Sequence, residues 1–384
     1  MRITYAKIYL NNLRHNITLI KSFTNPAVKT CIAVKADGYG HGAVQVSKVA
    51  QECGVNYLAV ATVDEGVELR NANITLPILV LSLCTPQEFT TLFEYNLTPF
   101  VGDKEYIEML ISEAQKCKVT NFEVHLAVDT GMGRIGCLSK DAGTLAKLIN
   151  SSNELKFGGI CTHFCSADGL SKENQEYANN QYKDFLQAVE NVKNAGVNPG
   201  IRHCSSSAAL VDHKEWQLDM VRAGIITYGY YPDEITENYL AQKGTPMDLK
   251  PVMALVSGVS VIRPFAPGKS ISYGHTWTAT ENTDIAVLPI GYADGLLRRF
   301  SPGLKVAING KAYPVRGRIC MDQCMVDIGL NNHDVKRFDE AIIFGPPESG
   351  ALQTAGTLAT DIGTISYEVL TGITKRVSRI YVEG

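Results

Sequence analysis

A lysine followed by a glycine-rich turn stands at residues 32–42, Ile-Ala-Val-Lys35-Ala-Asp-Gly-Tyr39-Gly-His-Gly. An apolar run that ends on a lysine delivers its amine to the edge of a core. Desolvation there lowers the ammonium pKa and makes the amine a nucleophile toward carbonyls and afterwards a base. A lysine that snorkels from a strand end into water is the ordinary alternative, and Tyr39 with the neighbouring glycines favours the chemical reading. Three later segments carry groups of a related kind. His163 closes one apolar run, His203-Cys-Ser-Ser-Ser207-Ala follows another, and Arg222-Ala-Gly224-Ile225 closes a third. Serine hydroxyls, small residues and backbone N–H groups at a helix start form a neutral cradle for a phosphate dianion. The serine run serves equally well as a plain N-cap, and only its position favours phosphate. Cys161-x-His163-x-Cys165 and Cys320-x3-Cys324 lack the paired close spacing of a zinc site, so no metal is expected.

These groups need a scaffold that brings strand ends together. Between residues 28 and 230 short β-branched runs alternate with helix-period segments, the pattern of repeated βα units around a parallel sheet. Eight strands are expected, near 30–35, 57–61, 77–83, 97–101, 122–129, 157–164, 200–204 and 220–222. Eight units favour a closed α/β barrel, a fold whose catalytic groups sit at the C-terminal strand ends and whose phosphate sites follow strands 7 and 8. Thr62-Val-Asp-Glu65 and Thr85-Pro-Gln-Glu88 predict capping boxes. Ala43, Val46, Val49, Ala50 and Cys53 predict the buried face of a helix that stops at Gly54. Beyond residue 245 the helical period gives way to strands near 252–262, 284–289, 305–308 and 311–316, with a turn at Asn309-Gly310. The expected division is a barrel domain over 1–243 and a mainly β domain over 244–384. The boundary falls in the polar stretch 233–249, where no periodicity is visible.

A chain of 384 residues, 45% hydrophobic, can bury two cores. With 36 basic and 39 acidic residues and no long run of one sign, it offers no footprint for nucleic acid or anionic lipid. A small neutral or zwitterionic substrate suits it better. The first ten residues alternate as a strand does and do not form a signal peptide, and the densest apolar run, 76–84, is too short for a membrane span. Ten scattered cysteines read as reduced thiols. A cytoplasmic protein is expected.

The segment Ala33-Val-Lys35-Ala-Asp-Gly-Tyr39-Gly-His41-Gly42 resembles the cofactor-lysine signature of bacterial alanine racemases. The likeness extends along nearly the whole chain, through Asp129-Thr-Gly-Met-Gly-Arg134-Ile-Gly, Thr162-His163-Phe, Arg222-Ala-Gly, Ser272-Tyr273-Gly, Gly291-Tyr292-Ala-Asp-Gly, Gly317-Arg-Ile-Cys-Met321-Asp322 and Ile365-Ser-Tyr367-Glu-Val-Leu. The resemblance implies a barrel that binds pyridoxal 5'-phosphate and a β domain, paired head to tail in a homodimer with shared sites. It implies that Lys35 carries the cofactor and is the base on the D face, and that the partner's Tyr273 serves the L face. Inversion at carbon needs a proton to leave one face and arrive on the other, hence two bases. Tyrosine is a weak base at its reference pKa near 10, so its phenolate needs support, which the resemblance assigns to His163 and Arg222.

By the same resemblance Arg222 bonds the pyridine nitrogen, and its fixed charge should leave that nitrogen unprotonated, which weakens the electron sink and suppresses transamination. Phosphate ligation falls to Tyr39, Ser207, Gly224, Ile225 and Tyr367. Substrate contacts fall to Arg134 and the Met321 backbone, with Asp322 in the same set, and Tyr292 lines the entry. The chain departs from the family at Ala127, where many members have a carbamylated lysine that props the substrate arginine, and at Ser206, usually asparagine. The implied activity is interconversion of L- and D-alanine for the cell wall. A serine or broad-specificity racemase is the nearest alternative. A non-catalytic pyridoxal phosphate-binding barrel would have no use for the Tyr273 and Met321 motifs.

Overall fold

A computed structural model describes residues 2–301 and 303–383. Its first strand, β1 (Tyr5–Tyr9), precedes eight parallel strands: β2 (Lys29–Ala33), β3 (Tyr57–Val60), β4 (Ile78–Val80), β5 (Thr98–Val101), β6 (Phe122–Ala127), β7 (Leu155–Cys161), β8 (Ile201–His203) and β9 (Met220–Ala223). The order β8-β7-β6-β5-β4-β3-β2-β9 leaves the last two at the ends of the sheet. The ends meet where Asp219 N–H donates to Arg202 O at 3.1 Å and Arg222 N–H to Ser205 O at 2.9 Å, so the sheet curls into a barrel. Helices cover its outside. Inside pack Cys31, Ala59, Leu79, Phe100, Ala127, Cys161 and Met220, small and large side chains filling the taper. All eight expected strands are present, with no end more than three residues from its expected place.

Local chemistry sets the helix ends. Thr62 and Glu65 form the full capping box of the helix Val63–Asn71. At Thr85 only half of the expected box forms. The Glu88 carboxylate takes the Thr85 N–H at 2.7 Å, but the Thr85 hydroxyl donates to that same carboxylate at 2.8 Å and caps nothing, and the chain makes a 3-10 turn, Pro86–Glu88, before the helix Phe89–Glu94. The helix Ala43–Glu52 buries Ala43, Val46, Val49 and Ala50 and ends at Gly54, whose φ of +68° lets Val55 N–H reach back to Ala50 O.

The C-terminal half builds a nine-stranded, mostly antiparallel sheet in the order Val261–Phe265, Thr283–Leu288, Cys324–Asp327, Lys311–Arg316, Lys305–Ile308, Glu340–Phe344, Met253–Gly258, β1 and Ser378–Val382. Thus β1 is a strand of the second sheet, although it opens the segment assigned to the barrel. It runs antiparallel to Met253–Gly258 and parallel to Ser378–Val382. The expected strand 252–262 divides into Met253–Gly258 and Val261–Phe265, which pair with different neighbours. The stretch 233–249 contains a short helix, Glu237–Gln242, capped by Thr236, whose hydroxyl accepts Tyr239 N–H at 3.2 Å. Asn309 and Gly310 take φ of +49° and +75° in a two-residue hairpin turn. All ten cysteines are free. Among the described residues no helix is long and apolar enough to cross a membrane.

Candidate active site

The chain leaves β2 at Ala33 and enters a turn in which Ala36, Asp37, Gly38 and Tyr39 all take φ between +51° and +61°. Consecutive left-handed residues with side chains are strained. Glu65 holds them: its carboxylate accepts the N–H of Ala36 at 2.6 Å and of Ala61 at 2.7 Å while also capping its own helix. Asp37 accepts Ala43 N–H at 2.9 Å, tying the turn to the next helix. A Cβ at Gly42, where φ is +95°, would stand 1.9 Å from Tyr381 Oη, so only glycine passes there. Glu65→Ala strands these donors and is expected to lower unfolding free energy by about 1–3 kcal/mol. Urea titration checks this, and a loss under about 0.5 kcal/mol would mean that the turn holds itself.

The turn aims Lys35 into a cavity of about 570 Å³ at the C-terminal mouth of the barrel. Burial first, then the charges of Arg134 and Arg222, lowers the Lys35 pKa and favours the free amine. Tyr39, Ser207 and Gly224 line one side. A methyl at Gly224 would sit 2.8 Å from Tyr39 Oη and 3.6 Å from Ser207 Oγ, so the three groups converge on one small space. Gly224 N–H donates to Ser207 Oγ at 2.9 Å, which leaves the hydroxyl hydrogen for another acceptor. Tyr39 stacks on Tyr228 with centroids 4.7 Å apart, and Tyr228 donates to Ala33 O at 2.8 Å. Tyr367 closes this side, 5.9 Å from the Tyr39 ring. Ile225 is fully buried behind the cavity wall.

Arg222 lies across the cavity floor. Its guanidinium donates to His203 Nδ1 at 2.8 Å, to His203 O at 2.9 Å and to Thr162 O at 2.8 Å, with His163 Nδ1 at 3.5 Å. Burial and the charges of Arg222, Arg134 and Lys35 push His163 down to about 3, so its ring is neutral. Arg134 lines the wall with Ala127 and makes no hydrogen bond or ion pair among the described residues. The sequence assigns no site role to Glu65, His203 or Thr162, which stand there as a cap and as members of longer motifs, because Ala36, which Glu65 holds, and Val128 and Arg222, which Thr162 meets, lie far away in sequence.

Buried neutral histidines have a measurable consequence. His41, pushed down to about 4 by burial, and His163 stay uncharged in the fold, whereas the unfolded chain protonates them near pH 6.5. Below that pH the unfolded state binds more protons, so stability is greatest above about pH 6.5 and falls as pH drops toward 4. The slope is roughly 1.4 kcal/mol per pH unit for each such histidine. Urea midpoints at pH 7.5 and 5.0 test it, and equal midpoints would contradict it.

Tyr273, Met321 and Asp322 are elsewhere. They surround a second cavity on the β domain, with Tyr273 69% and Met321 52% exposed. Tyr292 lines neither cavity. Its N–H donates to Cys320 O at 3.1 Å, placing it beside Met321, and its side chain is exposed. The expected site therefore exists in one chain as two separate halves.

The models of two protein domains match this chain: alanine racemase, N-terminal domain, over residues 8–232 and alanine racemase, C-terminal domain, over 252–381. The chain belongs to the alanine racemase family. Among curated members it is 45% identical to the alanine racemase of Treponema denticola, covering 100% of this chain and 99% of that one. It is 40% identical to that of Treponema pallidum over the whole of both. Of solved structures, alanine racemase from Clostridium difficile 630 superposes with a TM-score of 0.90 at 40% identity, covering 100% of this chain and 96% of that one. The Bacillus anthracis alanine racemase with bound L-Ala-P gives 0.90 at 33%, covering 100% and 95%. By family the chain is a racemase, and the barrel followed by a mostly β domain is the alanine racemase architecture.

Proposed function

We propose that this protein interconverts L- and D-alanine, with pyridoxal 5'-phosphate held on Lys35, as a cytoplasmic homodimer that supplies D-alanine for the cell wall. One observation carries the reading. A desolvated lysine amine shares a cavity with a hydroxyl-lined cradle on one side and a buried guanidinium on the other. The cradle fits a phosphate: Tyr39 and Ser207 offer hydroxyls across a space that even a methyl on Gly224 would fill. Tyr367 and the backbone at Gly224 and Ile225 would complete it, and Arg222 would hold the ring nitrogen, where its fixed charge would keep a proton off. When bound, the cofactor supplies an aldehyde for amine attachment and a conjugated ring that takes up the electrons left behind by the α-proton.

The remaining chemistry belongs to the chain. The Lys35 amine takes or returns the proton at the α-carbon on one face. Tyr273 of the partner subunit does so on the other, its exposure in a single chain being what an intersubunit contribution requires. Neutral His163 bridges toward that tyrosine. Arg134 pairs with the substrate carboxylate, joined by the backbone of Met321 with Asp322 and Tyr292 beside it across the interface. We take residues 1–243 and 244–384 as the two domains, with β1 crossing into the second. Comparing kcat/KM for alanine and serine tests the substrate. Alanine is expected to win by about tenfold or more, since the pocket must discriminate one hydroxyl, and a clear preference for serine would overturn the assignment.

A further inference from the structure

Arg222 is buried, with 8% of the residue exposed, yet no carboxylate lies within ion-pair distance of it among the described residues. A buried cation without a counter-charge is costly. Its neighbours supply one indirectly. Because arginine only donates, His203 Nδ1 accepts, and the His203 proton must sit on Nε2. That nitrogen lies 2.8 Å from His125 Nδ1, which therefore accepts, so His125 carries its proton on Nε2. His125 Nε2 has no hydrogen-bond partner and points toward Glu123 Oε1 at 3.7 Å, while Lys156 holds the other carboxylate oxygen at 2.8 Å. Every N–H in the row is oriented from the cavity toward the carboxylate.

The row is built into the barrel. Glu123, His125 and Ala127 alternate along β6 and line its interior face from floor to mouth. The neighbouring strand β7 makes room for them. A Cβ at Gly159 would stand 2.5 Å from Ile201 O on β8 and 2.8 Å from His125 Cε1, and one at Gly158 would stand 2.3 Å from Glu123 Cγ. Neither glycine has a positive φ, so clearance accounts for both. His125 and His203 are fully buried, and burial lowers both pKa values, which keeps the rings neutral. The His125 ring, and then Lys156, hold the Glu123 carboxyl down to about 2.

We infer that Glu123 and His125 are positioning residues of the active site: through His203 they lock the acceptor face toward Arg222 and supply its remote counter-charge. The inference rests on the reading that Arg222 faces the cofactor nitrogen, and its test separates the two. In holoprotein labelled with 15N-histidine, Nδ1 of both His125 and His203 is expected to resonate as an unprotonated nitrogen and Nε2 as a protonated one. Glu123→Gln, whose amide can donate to His125 Nε2, is expected to shift both rings toward the other tautomer. It should also lower kcat about 3- to 30-fold with KM for alanine changed by less than about twofold. Protonated Nδ1 in wild type, or a variant with unmoved histidine signals and unchanged kcat, would overturn it. Where the variant does not fold, the wild-type tautomers alone decide. Expected tautomers in a protein that binds no pyridoxal phosphate support the row and refute the cofactor reading.

Discussion

Replacing Lys35 by alanine is expected to abolish cofactor attachment and to lower kcat/KM for alanine in both directions by at least about 10³-fold. The amine is asked to do two things, carrying the cofactor and moving a proton at the α-carbon, and no other lysine lines its cavity. Loss of desolvated amine cannot be repaired by Arg134 or Arg222, whose guanidiniums do not give up protons near neutral pH. The variant should remain folded, because the turn around Lys35 is held by Glu65, Asp37 and backbone bonds and not by the lysine side chain. The yellow absorbance of the purified protein reports attachment, and a coupled assay for D-alanine reports turnover. A variant that still racemises at a tenth of the wild-type rate would remove Lys35 from the chemistry.

Tyr273→Phe is expected to lower kcat/KM by about 10² to 10⁴-fold while leaving cofactor binding unchanged. The phenol is exposed on the β domain, so its deletion disturbs no core of its own subunit. The strongest form of the experiment mixes the two inactive variants. If Lys35 and the partner's Tyr273 serve one site, random exchange of subunits makes half of the dimers mixed, and each mixed dimer has one intact site of two. About a quarter of wild-type activity should return. Mixtures that stay inactive under conditions of subunit exchange would place both residues in the same subunit's site, and a Tyr273→Phe variant with undiminished kcat/KM would remove Tyr273 from catalysis.

What local chemistry writes into a sequence was legible here. The Thr62–Glu65 box, the apolar face ending at Gly54, the Asn309-Gly310 hairpin and the eight strand segments each depend on residues close together. The partners that matter elsewhere are distant. β1 looks like the first strand of whatever follows it, but Tyr5 pairs with Val256, and nothing near residue 5 announces that. The helix Glu237–Gln242 is too short to show a period. At Thr85 only half of the box forms because the 3-10 turn hands the Glu88 N–H to the Thr85 carbonyl oxygen and not to its hydroxyl. At the site, Lys35, Tyr39, Ser207 and Arg222 stand out because barrel strand ends converge. The second tasks of Glu65 and the inward row Glu123-His125-His203 are invisible in sequence, since each arises from spacing across the closed barrel.

The central claim is that one amine, at the end of the first barrel strand, holds the cofactor covalently. Borohydride reduction of the purified protein followed by proteolysis and mass mapping tests it directly. The account predicts a single pyridoxyl-modified peptide, with the adduct on Lys35. An adduct on any other lysine, or none in protein that is catalytically active, would contradict it.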